Sequence, residues 1–98
     1  MIISFGDQAT SDIFHERETA LSRRVPNTLR RATRRRLNAL QLASEPRDLR
    51  TPPGNRFESL RGDWHGWFSI RVNDQFRIIF QWDSGRGGAT EVRVIDYH

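Results

Sequence analysis

The sequence predicts an α+β fold in which two N-terminal helices pack on a small antiparallel sheet. Three observations carry that expectation. Apolar side chains recur at helical spacing through residues 8–42. The stretch EPRDLRTPPGNR then breaks the pattern with three prolines, a glycine and an asparagine in twelve residues. Beyond it lie runs rich in β-branched and aromatic residues, separated by turn-forming segments. Ninety-eight residues suffice for one domain with one core, so a single domain over 1–98 is expected.

MIISF reads as a short strand. Asp7 or Ser4 is placed to cap a helix over roughly residues 8–20. Its apolar side is Ala9, Ile13 and Ala20, with Phe14 and Leu21 at one edge, and its early acids suit the helix dipole. Pro26 is suited to the first position of a second helix, PNTLRRATRRRLNALQLAS, in which Val25, Leu29, Leu37 and Leu40 lean to one side. Arg30 with Arg34, and Arg31 with Arg35, are i,i+4 pairs on the opposite side. Like charges at that spacing repel, so this face is either a solvated surface or a contact for phosphate or an acidic partner.

After the loop come FESL, WFSIRVN, QFRIIFQWD and TEVRVIDYH, an antiparallel meander. Strand parity fixes a register. A two-residue turn at Asn73 and Asp74 would send the apolar sets Phe68, Ile70, Val72 and Phe76, Ile78, Phe80 to opposite faces. An odd loop, or one bulge, pairs Val72 with Phe76, Ile70 with Ile78 and Phe68 with Phe80, and burial demands that register. Arg71 then falls opposite Arg77 on the other face, an unfavourable pair unless something anionic lies over it. The same parity sends Val92 and Val94 to the core, and Arg93, Ile95 and Tyr97 to the arginine face. Asp96 and His98 fall at the rim.

Composition narrows the chemistry. Cysteine is absent, which removes disulfides and thiolate metal sites and fits a reducing compartment. No leader pattern and no long apolar stretch is present, so no membrane span is expected and the cytoplasm is the default. All sixteen basic residues are arginine, which suits two-pronged contacts to phosphate, although an arginine-rich coding bias gives the same result. Residues 1–21 carry net −3, residues 22–42 net +7 and the remainder zero. A basic stripe of this kind points to a polyanion, nucleic acid foremost.

His15, His65 and His98 are far apart and the acids do not cluster, so neither a metal nor any other cofactor is expected. RNA cleavage without metal needs a base for the 2'-hydroxyl, a cation for the developing charge and an acid for the leaving 5'-oxygen. Arg77 and Arg71 can supply the cation, and Asp96, Tyr97 and His98 proton transfer and base stacking. A terminal Asp-Tyr-His is otherwise an ordinary strand end. Trp64 and His65 read as surface, Trp67 and Trp82 as packing, His15 as a solvated or capping histidine, and SGRGGA as a turn.

The run LRGDWHGWFSIRVNDQFRIIFQW, followed after a glycine-rich break by VRVIDYH, resembles the HigB-type toxins of the RelE/ParE superfamily. Its ordered pattern is Leu60, Gly62, Asp63, Gly66, Ser69, Ile70, Val72, Asn73, Arg77, Ile78, Phe80 and the closing Asp96, Tyr97 and His98. PPGNR before Glu58, Ser59 and Leu60 is similar to the GraT-like subgroup. The resemblance implies a RelE-like fold and a toxin that binds the ribosomal A site and cuts mRNA. It also implies a HigA-type antitoxin with a helix-turn-helix domain. It places cleavage on Asp96, Tyr97, His98 and Arg77, and RNA contact on Arg61. Where family members often carry a histidine this chain has Glu58, which would serve as a carboxylate base or leave the toxin weak. With the sheet and helix faces added, the expected RNA contacts are Arg61, Arg71, Arg93, Arg30, Arg31, Arg34 and Arg35. Two other functions fit the same fold: a ParE-like toxin acting on DNA gyrase, and a non-enzymatic nucleic-acid-binding module built on the arginine helix.

Overall fold

The computed structural model describes residues 1–97. Helix α1 (Gln8–Phe14) begins where Asp7 Oδ1 accepts the Thr10 N–H at 2.8 Å. It stops at Phe14, well short of the expected residue 20. The reason is a polar network that competes with the helix. Glu16 adopts a left-handed backbone (φ 59°), and the Arg17 N–H donates to Asp12 O at 2.8 Å. Thr19 and Ser22 then exchange side-chain and backbone hydrogen bonds. Thr19 Oγ1 also donates to Asp12 Oδ2 at 2.8 Å, while Gln8 Nε2 holds Oδ1 at 2.8 Å. Local side-chain bonds of this kind offer the backbone an alternative to continued helix. Ala20 and Leu21 are therefore exposed and not part of an apolar stripe.

Helix α2 spans Asn27–Leu42, with Pro26 just before it and not inside it (ψ 142°). Val25, Leu37 and Leu40 are buried, and Leu29 packs against them. Thr33 is buried on the same side and returns its hydroxyl to Leu29 O at 2.8 Å, which satisfies a polar group that would otherwise be costly there. The proline-rich stretch forms two 3-10 turns, Pro46–Arg50 and Pro53–Asn55. Leu49 enters the core, and the buried Asn55 amide donates to the carbonyls of Leu49 (3.1 Å) and Thr51 (3.3 Å).

The sheet has four antiparallel strands in sequential order: β1 (Glu58–Ser59), β2 (Phe68–Arg71), β3 (Phe76–Asp83) and β4 (Gly88–Asp96). The register is the one burial demanded, with Phe68 opposite Phe80, Ile70 opposite Ile78 and Arg71 opposite Arg77. Asn73 builds the odd turn, its Oδ1 accepting the N–H groups of Gln75 (3.0 Å) and Phe76 (2.7 Å), while the Val72 N–H reaches Phe76 O at 3.0 Å. A bulge with Glu91 at φ 55° shifts β4 by one residue against β3. Val92 thereby stays fully buried among Ile70, Ile78, Phe80, Leu37 and Leu40. Burial of side chains this size contributes about 1.5–3 kcal/mol each.

The opening MIISF is not a full strand. It makes two isolated parallel bridges to β4, Ile2 to Ala89 and Phe5 to Val92. Its carbonyls at Met1 and Ser4 accept from Ala89 and Val92, and Thr10 Oγ1 accepts the Val94 N–H at 2.9 Å. The exposed edge of β4 is thus closed by the N-terminal segment and by α1, which removes a site for unwanted strand pairing. Among the described residues no helix is long and apolar enough to cross a membrane.

Candidate active site

The second face of the sheet carries the charged residues. Glu58 on β1 lies opposite Ser69 on β2, and Ser69 lies opposite Ile79 on β3, two positions from Arg77. Arg77 is 9% exposed. Its Nε donates to Ser69 Oγ, and Nη2 donates to Arg56 O at 3.0 Å and pairs with Glu58 Oε1 at 3.0 Å. Its guanidinium lies 5.3 Å from the centre of the Tyr97 ring. Charge-assisted, multipoint bonding of this sort fixes a guanidinium in one orientation.

Gln75 positions the tip of β4. Its carbonyl accepts the Tyr97 N–H at 2.6 Å, and its Nε2 donates to Asp96 Oδ2 at 3.0 Å. Facing the tip is the 60–67 loop, which closes on itself through Leu60 N–H to Trp67 O (2.8 Å) and Trp67 N–H to Trp64 O (3.0 Å). Gly62 (φ 63°) and Gly66 (φ 92°) supply its two left-handed corners. Between loop and tip lies a cleft of about 540 Å³. Glu58, Arg61 and Asp96 form its polar wall, Leu60, Ile79 and Ile95 its apolar lining, and Trp64 and Tyr97 its aromatic borders.

The structure therefore gathers Glu58, Arg61, Asp96 and Tyr97 around one cleft, with Arg77 in contact with two of them. The other expected residues lie elsewhere. Arg71 does stand opposite Arg77, but it pairs with Asp74, and Arg36 Nε donates to its carbonyl at 3.0 Å. Each arginine of the like-charged pair thus has its own carboxylate, Asp74 or Glu58. Arg93 lies over the Trp67 ring at 5.5 Å and pairs with Glu91 at 3.0 Å. It lines a neighbouring groove with Arg24 and Val94. Arg30 makes two 2.8 Å bonds to Glu18, which hold that carboxyl below its ordinary value, and Arg34 pairs with Glu16 at 3.1 Å. Arg31 and Arg35 remain exposed. His98 lies outside the described residues.

Sequence reasoning missed Gln75 and the Arg56 carbonyl, and it did not bring Leu60 and Trp64 to the cleft. Trp64 is at the surface as expected, 49% exposed, but it also borders the cleft, and the two glycines flanking its turn were the available sign of a specially shaped loop. His65 is exposed, Trp82 packs against the core, and His15 caps α1 with its ring nitrogen 2.8 Å from Ser11 O. SGRGGA turns on Asp83, whose backbone and side-chain oxygens accept the N–H groups of Gly87 and Arg86. Among the described residues no three His, Asp or Glu side chains meet as a metal-ligand set.

A meander whose last strand returns its tip beside an arginine of its neighbour, under two N-terminal helices, is the arrangement that the resemblance to RelE-like toxins implied. The family of RelE-like toxins of type II toxin-antitoxin system HigB matches residues 3–98, and the chain belongs to it. It is 42% identical over 85 residues, 87% of each chain, to Toxin HigB-1 of Vibrio cholerae serotype O1. It is also 33% identical over 61 residues to an uncharacterized protein of Haemophilus influenzae, covering 62% of this chain and 60% of the other. The protein is thus a toxin of a type II toxin-antitoxin system, and an antitoxin is its partner.

Proposed function

We propose that this toxin is a ribosome-dependent, metal-independent endoribonuclease that cuts mRNA in the ribosomal A site. It acts in the cytoplasm and is neutralised by a HigA-type antitoxin with a helix-turn-helix domain. The observation that carries the reading is the meeting of Glu58, Asp96 and Tyr97 at one cleft, with the buried Arg77 in contact with Glu58 and Tyr97 and Asp96 held by Gln75. Arg77 is a cation with fixed direction, suited to the charge that develops on a phosphorane. Its Nη2 is shared with Glu58, so a phosphate oxygen that takes over this contact releases the carboxylate. Glu58 then accepts the 2'-hydroxyl proton, the 2'-oxygen attacks phosphorus, and the bond from phosphorus to the 5'-oxygen breaks. His98 donates the proton to that leaving oxygen, giving a 2',3'-cyclic phosphate and a 5'-hydroxyl. Arg61 holds the flanking backbone, and Tyr97 stacks on a base.

His98→Ala, or removal of the last two residues, is expected to abolish growth arrest and mRNA cleavage on translating ribosomes, with folding and antitoxin binding intact. Full toxicity in a well-expressed truncated chain would overturn the assignment. Inhibition of gyrase supercoiling without mRNA cleavage would establish the ParE-like alternative. A binding module resting on the arginine helix is less favoured, because Arg30 and Arg34 are already paired with Glu18 and Glu16.

A further inference from the structure

The two exposed aromatic side chains among the described residues, Trp64 (49%) and Tyr97 (52%), border the same cleft. A tryptophan held half in water forgoes much of the apolar burial that its size allows, and folding gains little from leaving it there. The exposure is built, not incidental. Trp67 meets the Trp64 ring edge-on at 84° and 5.5 Å, and Arg93 covers the Trp67 ring in turn. The Trp64 N–H is tied to Arg61 O at 3.2 Å in a 3-10 turn, between the left-handed corners at Gly62 and Gly66. The cleft volume, about 540 Å³, lies within the range of roughly 300–1,000 Å³ for small-ligand pockets. Leu60, Ile79 and Ile95 line it with apolar surface, while Arg61 and Asp96 stand at its polar side. Such a space suits a flat, partly apolar group attached to an anionic backbone.

We infer that Trp64 is a binding residue of this toxin: its indole is the stacking platform for one unpaired nucleobase, opposite the tip that carries Tyr97. This rests on the proposed ribonuclease function and assigns the face of the cleft that receives the base beside the scissile phosphate. Stacking on an aromatic face is tolerant of base identity, so the platform adds affinity and positioning and not sequence choice. Trp64 touches no reacting atom in this scheme, and its effect falls on substrate binding.

The test compares the full-length wild type with Trp64→Phe and Trp64→Leu, the second of which keeps apolar bulk against Trp67 but has no ring. KM and kcat are measured for mRNA cleavage on programmed ribosomes. Direct binding is measured separately with a short single-stranded RNA, with and without one abasic position. Trp64→Leu is expected to raise KM and the RNA Kd by about tenfold or more, with Trp64→Phe within about threefold of wild type. The kcat, thermal melting and antitoxin binding stay unchanged, and the abasic RNA loses its preference for wild type over Trp64→Leu. Equal KM and Kd for wild type and Trp64→Leu, with cleavage intact, overturn the platform and leave the nuclease standing. RNA binding that depends on Trp64, without any cleavage, overturns the nuclease and keeps the platform. Neither binding nor cleavage by wild type overturns both.

Discussion

Glu58 is half exposed, and its carboxylate shares a guanidinium nitrogen with the backbone carbonyl of Arg56. If it is the base that takes the 2'-hydroxyl proton, Glu58→Gln lowers ribosome-dependent cleavage by about 100-fold or more. Melting temperature shifts little, because Glu58 is half exposed and the glutamine carbonyl can still accept from the buried Arg77, whose bonds to Ser69 and the Arg56 carbonyl are untouched. Glu58→His, which restores a titrating base of the kind the resemblance places there, keeps most of the activity. Cleavage by Glu58→Gln at the wild-type rate, measured by primer extension on a reporter message, would remove Glu58 from the mechanism. Parity in β2, β3 and β4 was enough to put Ser69, Arg77, Ile79, Ile95 and Tyr97 on one side of the sheet. It could not reach Gln75 or the Arg56 carbonyl. Those contacts come from a turn and from a backbone in left-handed conformation (Arg56 φ 45°), neither of which follows from alternation of side chains.

Helix α1 illustrates where periodicity misleads. Ala9, Ile13 and Phe14 gave a true apolar side, and Asp7 a true cap, but the stripe was extended through Ala20 because the competing polar network is non-periodic. Asp12 is its centre. Hydrogen bonds from Gln8 and then Thr19, aided by Arg17 against the opposing effect of burial, hold its carboxyl below the ordinary value of 3.8. A carboxyl depressed on folding contributes stability that is fully present above that ordinary value and is lost as the pH falls through the lower folded value. Asp12→Asn should therefore be less stable than wild type in urea unfolding at pH 7, with the gap closing as the solution is acidified below about pH 4. A gap independent of pH would mean that the network works through shape alone.

The excess of positive charge in residues 22–42 is legible as a stripe, but its partial neutralisation is not, because Glu16 and Glu18 follow α1 and come to lie against α2. Of the four arginines in the i,i+4 pairs, Arg31 and Arg35 remain exposed, with no acid partner among the described residues. If the toxin binds the ribosome as proposed, replacing both by glutamine should flatten the dependence of that affinity on salt by about 1.4–1.8 units of the log–log slope. The same change at Arg30 and Arg34 should alter the slope less. Equal effects from the two pairs would show that the ion pairs to Glu16 and Glu18 open on binding. The fold class, the helix pair and the hairpin register were all accessible from the letters, since each is fixed by burial of one face. The tie between MIISF and β4 was not, because an isolated parallel bridge has no alternation of its own to reveal it. The turn centred on Asn73 has the widest reach. Surface turns ordinarily absorb an insertion or deletion with little harm. Here the loss of a single amino acid between Val72 and Phe76 would slide β3 by one place, turning Arg77 into the oil-filled side and Ile78 and Phe80 out to water. The length of that hairpin connection is therefore as much a part of this toxin's chemistry as any of its acids or bases.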